Sequence, residues 1–287
     1  MIEGFGLTQV DILLNVPQKI ILNQKHIVTE QIFQIGGVIP TALIFLSRLG
    51  IDCQLHTTLA DDNFGKMITQ WLKSEKVKLD PIRTKTKSSP SAVVVVEQPT
   101  GNRSGFYNLG GIADLNLHDL NQIKFLPKSK FLLLGRHNPV LIQALIKKAK
   151  HEGLITLLDL GSYQKEAANL AKTADVVFVS GQVQTEALKL LQSGSKICVV
   201  TQGEKGCFVA SQGKIFHQPA FRVKAVDTNG AGDVFMGGFT YGLINGWPLK
   251  KTAQFASAAA AMACTKFGKI KSIPRSTTEI NRLIDSY

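Results

Sequence analysis

The chain has 287 residues, 44% of them hydrophobic and 19% charged, a length that suits one large domain with an ample core. Its 33 Lys and Arg against 21 Asp and Glu give a formal charge of +12, but the basic residues are scattered, with only pairs such as Lys147-Lys148 and Lys250-Lys251. With no basic run interleaved with aromatics and no apolar run of about 20 residues, the composition argues against a nucleic-acid binder and a membrane-spanning chain.

In chain order, Val10–Val16, Lys19–Leu22 and Gln31–Ile35 read as short strands divided by Pro17 and Asn23-Gln24. Helical patterns follow at Val38–Arg48 and Phe64–Ser74. Two further strands, Ala92–Val96 and Ser104–Leu109, flank the turn signal Pro99-Thr100-Gly101-Asn102. These pieces predict a small antiparallel sheet assembled from discontinuous segments, roughly 12-35 and 88-110.

From residue 131 the pattern alternates. Buried-type strands at Phe131–Leu134, Leu154–Leu158, Val176–Val179 and Lys196–Thr201 are separated by helical segments at Pro139–His151, Tyr163–Thr173 and Val183–Gln192. That alternation predicts an α/β fold: a central, mostly parallel sheet flanked by helices on both faces. The smaller sheet is then a lid, and residues 1-287 form a single domain. The opening Met1-Ile2-Glu3-Gly4 has no basic segment leading an apolar run, which sets a cytoplasmic expectation. Cys53, Cys198, Cys207 and Cys264 form no Cys-x-x-Cys pair and read as reduced thiols, and the six His show no metal-ligand spacing.

The richest stretch is Asp227-Thr228-Asn229-Gly230-Ala231-Gly232-Asp233, which follows a strand-like Phe221–Val226 and opens an apolar-periodic helix. Gly230, Ala231 and Gly232 carry almost no side chain. Their backbone N–H groups at a helix start, aided by the helix dipole, would form an anion hole suited to a transferring phosphate. Asp233 falls in the first helical turn, placed to take a proton from an attacking hydroxyl. The alternative is a glycine turn with an acid that starts a helix. Asp11 lies inside an apolar strand, where an unpaired carboxylate would be costly to bury. It either contacts a ligand or faces outward at an edge.

These residues resemble the ribokinase-like (PfkB) carbohydrate kinases along nearly the whole chain. Asp227 to Asp233 is similar to the family's C-terminal signature, and Gly36-Gly37 through Thr41, Leu43 and Arg48-Leu49-Gly50 to its N-terminal one. Gly4-x-Gly6 with Val10-Asp11 resembles the opening strand, Ala60-Asp61-Asp62-x-Phe64-Gly65 the Gly-x-Asp-x-x-Gly element, and Gly101-Asn102-Arg103 the lid turn. Thr201-x-Gly203-x-x-Gly206 is similar to the nucleotide-side loop, and Phe255 to Ala260 to the helix that borders the adenine.

The resemblance implies ATP-dependent phosphorylation, with Mg²⁺, of a hydroxymethyl group on a small sugar. A nucleoside kinase of the same fold, or a catalytically silent sugar or nucleotide sensor, is the alternative. Asp233 would be the general base, and Gly230, Ala231 and Gly232 would steady the phosphoryl group. Asp11, Gly37, Thr41 and Arg103 would face the acceptor, and Ser180, Thr201, Gly203, Gly206 and Ser257 the nucleotide. Asp227 and Asn229 match positions that hold a monovalent cation such as K⁺ in some members. Departures are Thr41 where the family usually has Asn, Ala60 in place of Gly, and Ser180-Gly181-Gln182-Val183 where Asn-x-x-Glu is expected. Glu186, one helical turn later, would replace the missing acid and reach Mg²⁺ through water. Exposed lid-strand edges would allow a homodimer.

Two other readings fail on sequence. The stretch Gly4 to Gln9 has Gln where a dinucleotide fingerprint needs its third Gly, and strand-like residues follow it. No Gly-x-x-x-x-Gly-Lys-Ser/Thr loop occurs.

Overall fold

The computed structural model describes residues 1–82, 88–99, 103–162, 168–181 and 194–287. Among them, the strands β1 (Ile2–Phe5), β2 (Gln9–Val16), β3 (Glu30–Gly36), β4 (Cys53–Thr57) and β5 (Val77–Pro81) come first, with helices α1 (Val38–Arg48) and α2 (Asn63–Ser74) between them. Strands β6 (Ser91–Glu97), β7 (Arg103–Asn108), β8 (Phe131–Leu134), β9 (Ile155–Ser162), β10 (Val176–Ser180) and β11 (Ile197–Thr201) follow, with α3 (Pro139–His151) and a short turn of helix α4 (Ala168–Ala171). The chain closes with the hairpin β12 (Cys207–Ser211) and β13 (Lys214–Gln218), then α5 (Ala231–Ile244), α6 (Leu249–Ala263), α7 (Lys269–Ser272) and α8 (Thr277–Asp285).

Nine strands form the main sheet in the order β13-β12-β11-β10-β9-β8-β1-β4-β5. The run from β11 to β5 is parallel, and only the β12–β13 hairpin adds antiparallel strands at one edge. Side chains alternate across this sheet with the period of two that strands impose. Leu133 and Val199 enter a core shared with α1, α5 and α6, while Leu132, Leu134, Cys198 and Val200 enter a second core against α3. Helices therefore cover both faces, as the near-continuous apolar strands require. Helix α1 is buried from Ile39 to Leu46, which explains why its sequence is apolar around most of its circumference. Glu3, fully buried in β1, accepts hydrogen bonds from Leu126 N–H and the Ser129 hydroxyl, and its carboxylate lies 2.6 Å from His56 Nε2.

Helices α5 and α6 cross closely. A Cβ on Gly238 would lie 2.9 Å from Ala256 Cα, so the small residues of Ala256-Ser257-Ala258-Ala259 are what this crossing needs.

The smaller sheet runs β3-β2-β6-β7 and combines residues from both predicted segments. It is mixed, where the strand pattern predicted an antiparallel sheet: β2 pairs with β3 and β6 with β7 antiparallel, but the central β2–β6 pair is parallel, with Val10 opposite Ser91. Two other expectations also need correction. Lys19–Leu22 forms no strand. Ile20 N–H bonds the Glu97 carboxylate and Ile21 bonds the His26 ring, so this backbone is satisfied without a partner strand. Phe221–Val226 forms none either, because Arg222 N–H bonds the Tyr287 hydroxyl and the Val226 and Asp227 amides both bond the Cys264 carbonyl. The predicted helix Val183–Gln192 and residues 163–167 of Tyr163–Thr173 lie outside the described residues. No helix among the described residues is long and apolar enough to cross a membrane.

Candidate active site

In a parallel sheet, ligands sit beyond the carboxyl ends of the strands, where loops and helix N-termini converge. A cavity of about 330 Å³ lies there, lined by Gln9, Asp11, Gly37, Val38, Val94, Arg103, Gly105, Tyr107, Asn229, Asp233 and Lys269. A larger groove of about 430 Å³, lined by Ser195, Lys196, Ile197 and Ser211 to Gly213, opens at the start of β11, the opposite end from such sites.

The cavity draws on both sheets. Strand β2 contributes Gln9 and Asp11 from one face, two residues apart. Asp11 is buried at 4% exposure. Its Oδ1 accepts from Gln9 Nε2 at 2.6 Å, and its Oδ2 lies 3.2 Å from Lys269 Nζ. Gly36 leaves room for this carboxylate, since a Cβ there would come within 2.1 Å of Asp11 Oδ1. Gly37 then caps the start of α1, and the buried Thr41 bonds the Gly37 carbonyl at 2.7 Å.

Helix α5 starts at the other side. Gly230, at φ +83°, is its N-cap, and no side chain caps the helix. The first-turn amides therefore have no capping side chain to satisfy them, and space is open where a Cβ of Gly232 would be. Asp233 stands in that first turn. Burial pushes its carboxyl above the ordinary value, and the Asp11 charge adds to the rise. The Lys269 ammonium and a hydrogen bond from the Thr41 side chain oppose it. Within β9, Asp159 is also pushed up, to about 6, by burial and by the Asp233 charge, against the Gly161 N–H and the charge of Arg136.

Asp227 is 3% exposed and fully engaged. Its Oδ1 receives Arg103 Nη2 at 2.5 Å and Asn229 N–H at 2.9 Å, while Oδ2 receives Gly268 N–H at 3.1 Å. Arg103 thus joins β7 of the smaller sheet to the loop ahead of α5.

The nucleotide-side residues expected from the sequence are spread along the strand ends. Ser180 closes β10 and Thr201 closes β11, with their hydroxyls 3.4 Å apart. Gly203 follows, exposed. Gly206 is buried, with the Gln218 carbonyl where a Cβ would be, and so serves the β12 crossing. Ser257 is 5% exposed and its hydroxyl donates to the carbonyl of Pro219, just after β13. Glu186, Gly101 and Asn102 lie outside the described residues. Of the other residues, Asp11, Gly37, Arg103, Asn229 and Asp233 line one cavity, with Thr41 and Gly230 against it.

Gln9, Tyr107 and Lys269 line the cavity without having been expected from the sequence, and Asp159 is linked to it through the Asp233 charge. Gln9 shares a strand face with Asp11, so the period of two carried its signal. Lys269 carried none, because nothing local marks a lysine that will be buried.

Comparison with known proteins agrees with this fold, a mostly parallel sheet with helices and a second, smaller sheet beside it. Residues 1–276 match the pfkB family carbohydrate kinases, and the chain belongs to that family. It is a kinase of the carbohydrate kinase class. It is 28% identical to a fructokinase of Solanum tuberosum over 275 residues, 86% of each chain. It is 27% identical to a 5-dehydro-2-deoxygluconokinase of Geobacillus thermodenitrificans over 274 residues, covering 84% of this chain and 81% of the other. The crystal structure of a ribokinase from Thermotoga maritima superposes with a TM-score of 0.85 at 25% identity, covering 99% of both chains.

Proposed function

We propose that the protein transfers the terminal phosphoryl group of ATP to a hydroxymethyl group of a small sugar, with Asp233 as general base. The observation that supports this reading is that Asp233 and the uncapped start of α5 open on one cavity with Asp11 and Arg103. Bound Mg-ATP would supply the phosphoryl group. The Asp233 carboxylate accepts the proton of the acceptor hydroxyl as that oxygen forms its bond to phosphorus and the bond to the ADP oxygen breaks. Its raised pKa makes it a better proton acceptor than an ordinary carboxylate. The amides of Gly230, Ala231 and Gly232 face the negative charge spread over the phosphoryl oxygens, where fixed dipoles need no reorganisation.

The described residues contain no group of three or more His, Cys, Asp or Glu that could hold a metal. A divalent ion would enter on the nucleotide phosphates, the usual habit of Mg²⁺. A monovalent cation at Asp227 and Asn229 fits poorly, since Arg103 and two backbone amides already match that carboxylate.

The smaller sheet acts as a lid in this reading. Its site-facing residues are Gln9, Asp11, Val94, Arg103, Gly105 and Tyr107, and closure over them excludes water that would otherwise consume ATP. Its outer face carries a row in register across all four strands: Phe33, Ile12, Val93 and Phe106. Phe33 is 46% and Phe106 66% exposed. A second copy of the chain, related by a two-fold axis, would cover such a row.

An ADP-release screen of Mg-ATP against pentoses, ketohexoses, sugar acids and nucleosides tests the reading, with Asp233→Asn as the paired variant. One acceptor should stimulate ADP release and lose that stimulation by a factor of about 10² or more in the variant. A nucleoside as the best acceptor would replace the sugar, a reading that Tyr107 at the cavity wall would suit by stacking. Turnover indifferent to Asp233 would sink the proposal.

A further inference from the structure

Lys269, at the start of α7, is only 3% exposed, although a solvated lysine is the ordinary case. Its stem runs across Gly230, where a Cβ would meet Lys269 Cδ at 2.8 Å. Glycine at position 230 thus has two reasons: the left-handed backbone at φ +83° and the passage of this side chain. The stem delivers Nζ to Asp11 Oδ2 at 3.2 Å, within electrostatic reach of Asp233.

Two carboxylates facing one small cavity repel each other, and burial raises the cost of ionising both. The groups that face Asp233 come from four elements: the Thr41 hydroxyl of α1, Asp11 of β2, Asp159 of β9 and Lys269 of α7. Arg103, the other basic side chain that lines the cavity, pairs with Asp227. Of the four groups, Lys269 alone brings a positive charge. Gln9 adds a second observation. Its Nε2 is spent on Asp11, and its Oε1 is buried with no partner among the described residues. A buried orphan acceptor on a cavity wall calls for a donor from a ligand.

We propose that Lys269 is a positioning residue for phosphoryl transfer: its ammonium is the fixed counter-ion of the Asp11–Asp233 pair, keeping the base ionised and holding Asp11 and Gln9 turned toward an acceptor hydroxyl. The proposal rests on the kinase reading above. With Lys269 in place, Asp11 is clamped from both sides, so Gln9 Oε1 is the free acceptor for a substrate O–H. Removing the ammonium raises the pH at which Asp233 becomes a base and frees Asp11 to rotate.

The test compares the pH dependence of kcat/KM in the wild type, Lys269→Met and Lys269→Arg, using the acceptor found in the screen. Lys269→Met should move the acid limb up by about one pH unit or more and raise the acceptor KM about tenfold, with the ATP KM unchanged. Lys269→Arg should return the limb toward the wild-type position. An acid limb and acceptor KM equal to the wild type's in Lys269→Met would overturn the proposal. If Lys269→Met does not fold, the double variant Lys269→Met, Asp11→Asn removes the ammonium together with the carboxylate it pairs with at 3.2 Å and should fold; failure of that variant to regain stability would equally overturn it. A wild-type protein inactive on every acceptor sinks the kinase reading instead, so the two failures are told apart.

Discussion

Arg103 Nη2 lies 2.5 Å from Asp227 Oδ1, so strand β7 of the smaller sheet is fastened to the loop that opens α5. The cavity and the uncapped start of α5 are thereby held in one frame. Arg103→Ala should lower kcat/KM by about tenfold, about 1.4 kcal/mol, chiefly through the acceptor KM. Arg103→Lys should recover only part of this, since an ammonium lacks the planar fork. Steady-state kinetics with acceptor and ATP varied separately check it, and an unchanged acceptor KM would count against a role in closure.

Asp159 makes the fold sensitive to pH. Burial and the Asp233 charge push its carboxyl up to about 6, above the 3.8 of an ordinary aspartate. A raised carboxyl favours the folded state below its unfolded value, and that contribution is lost as pH rises through about 6. Asp159→Asn should therefore stabilise the protein at pH 8, by on the order of 2 kcal/mol, and give no gain near pH 3. Thermal melts across that range measure the crossing, and a gain independent of pH would contradict an origin in the cost of ionising this carboxyl.

Arg48 ties three segments together. Its guanidinium bonds both oxygens of Glu75 beyond α2 and the carbonyls of Ile270 and Ile273 beside α7. Glu75 is held below its usual value by that hydrogen bond. Arg48→Met strands a carboxylate and two carbonyls, and should cost about 3 kcal/mol in urea unfolding. Since α7 carries Lys269, the variant should also lose activity before it unfolds.

The lid's outer row predicts an oligomer. Replacing both Phe33 and Phe106 by Ser should convert a dimer to a monomer in light scattering, with the lid still able to close. A wild-type protein that is monomeric at all concentrations would remove the case for that interface.

Much of this architecture is legible in the sequence. The alternation of Phe131–Leu134, Pro139–His151 and the later strands follows from burial on both faces, and α3 spans the expected Pro139–His151. The Gly230–Asp233 string reads as a helix start poor in side chains, and α5 begins there with Gly230 as its N-cap. What escapes is long-range. The parallel β2–β6 pair joins strands whose local patterns say nothing of direction, so those patterns predict a hairpin-based sheet. Lys269 reaches the site through the fold alone, and Phe221–Val226 has the pattern of a strand while the C-terminal residues take its hydrogen bonds.

The parallel pairing of Val10 with Ser91 also fixes an order of events during folding. No local hairpin can bring these strands together, so the chain between them must first collapse onto the main sheet and repay the entropy of closing that loop. Until then the apolar edges of β2 and β6 are bare. A newly made chain is accordingly most prone to self-association before its lid has assembled, and dilution or a chaperone during refolding should raise the yield of active protein.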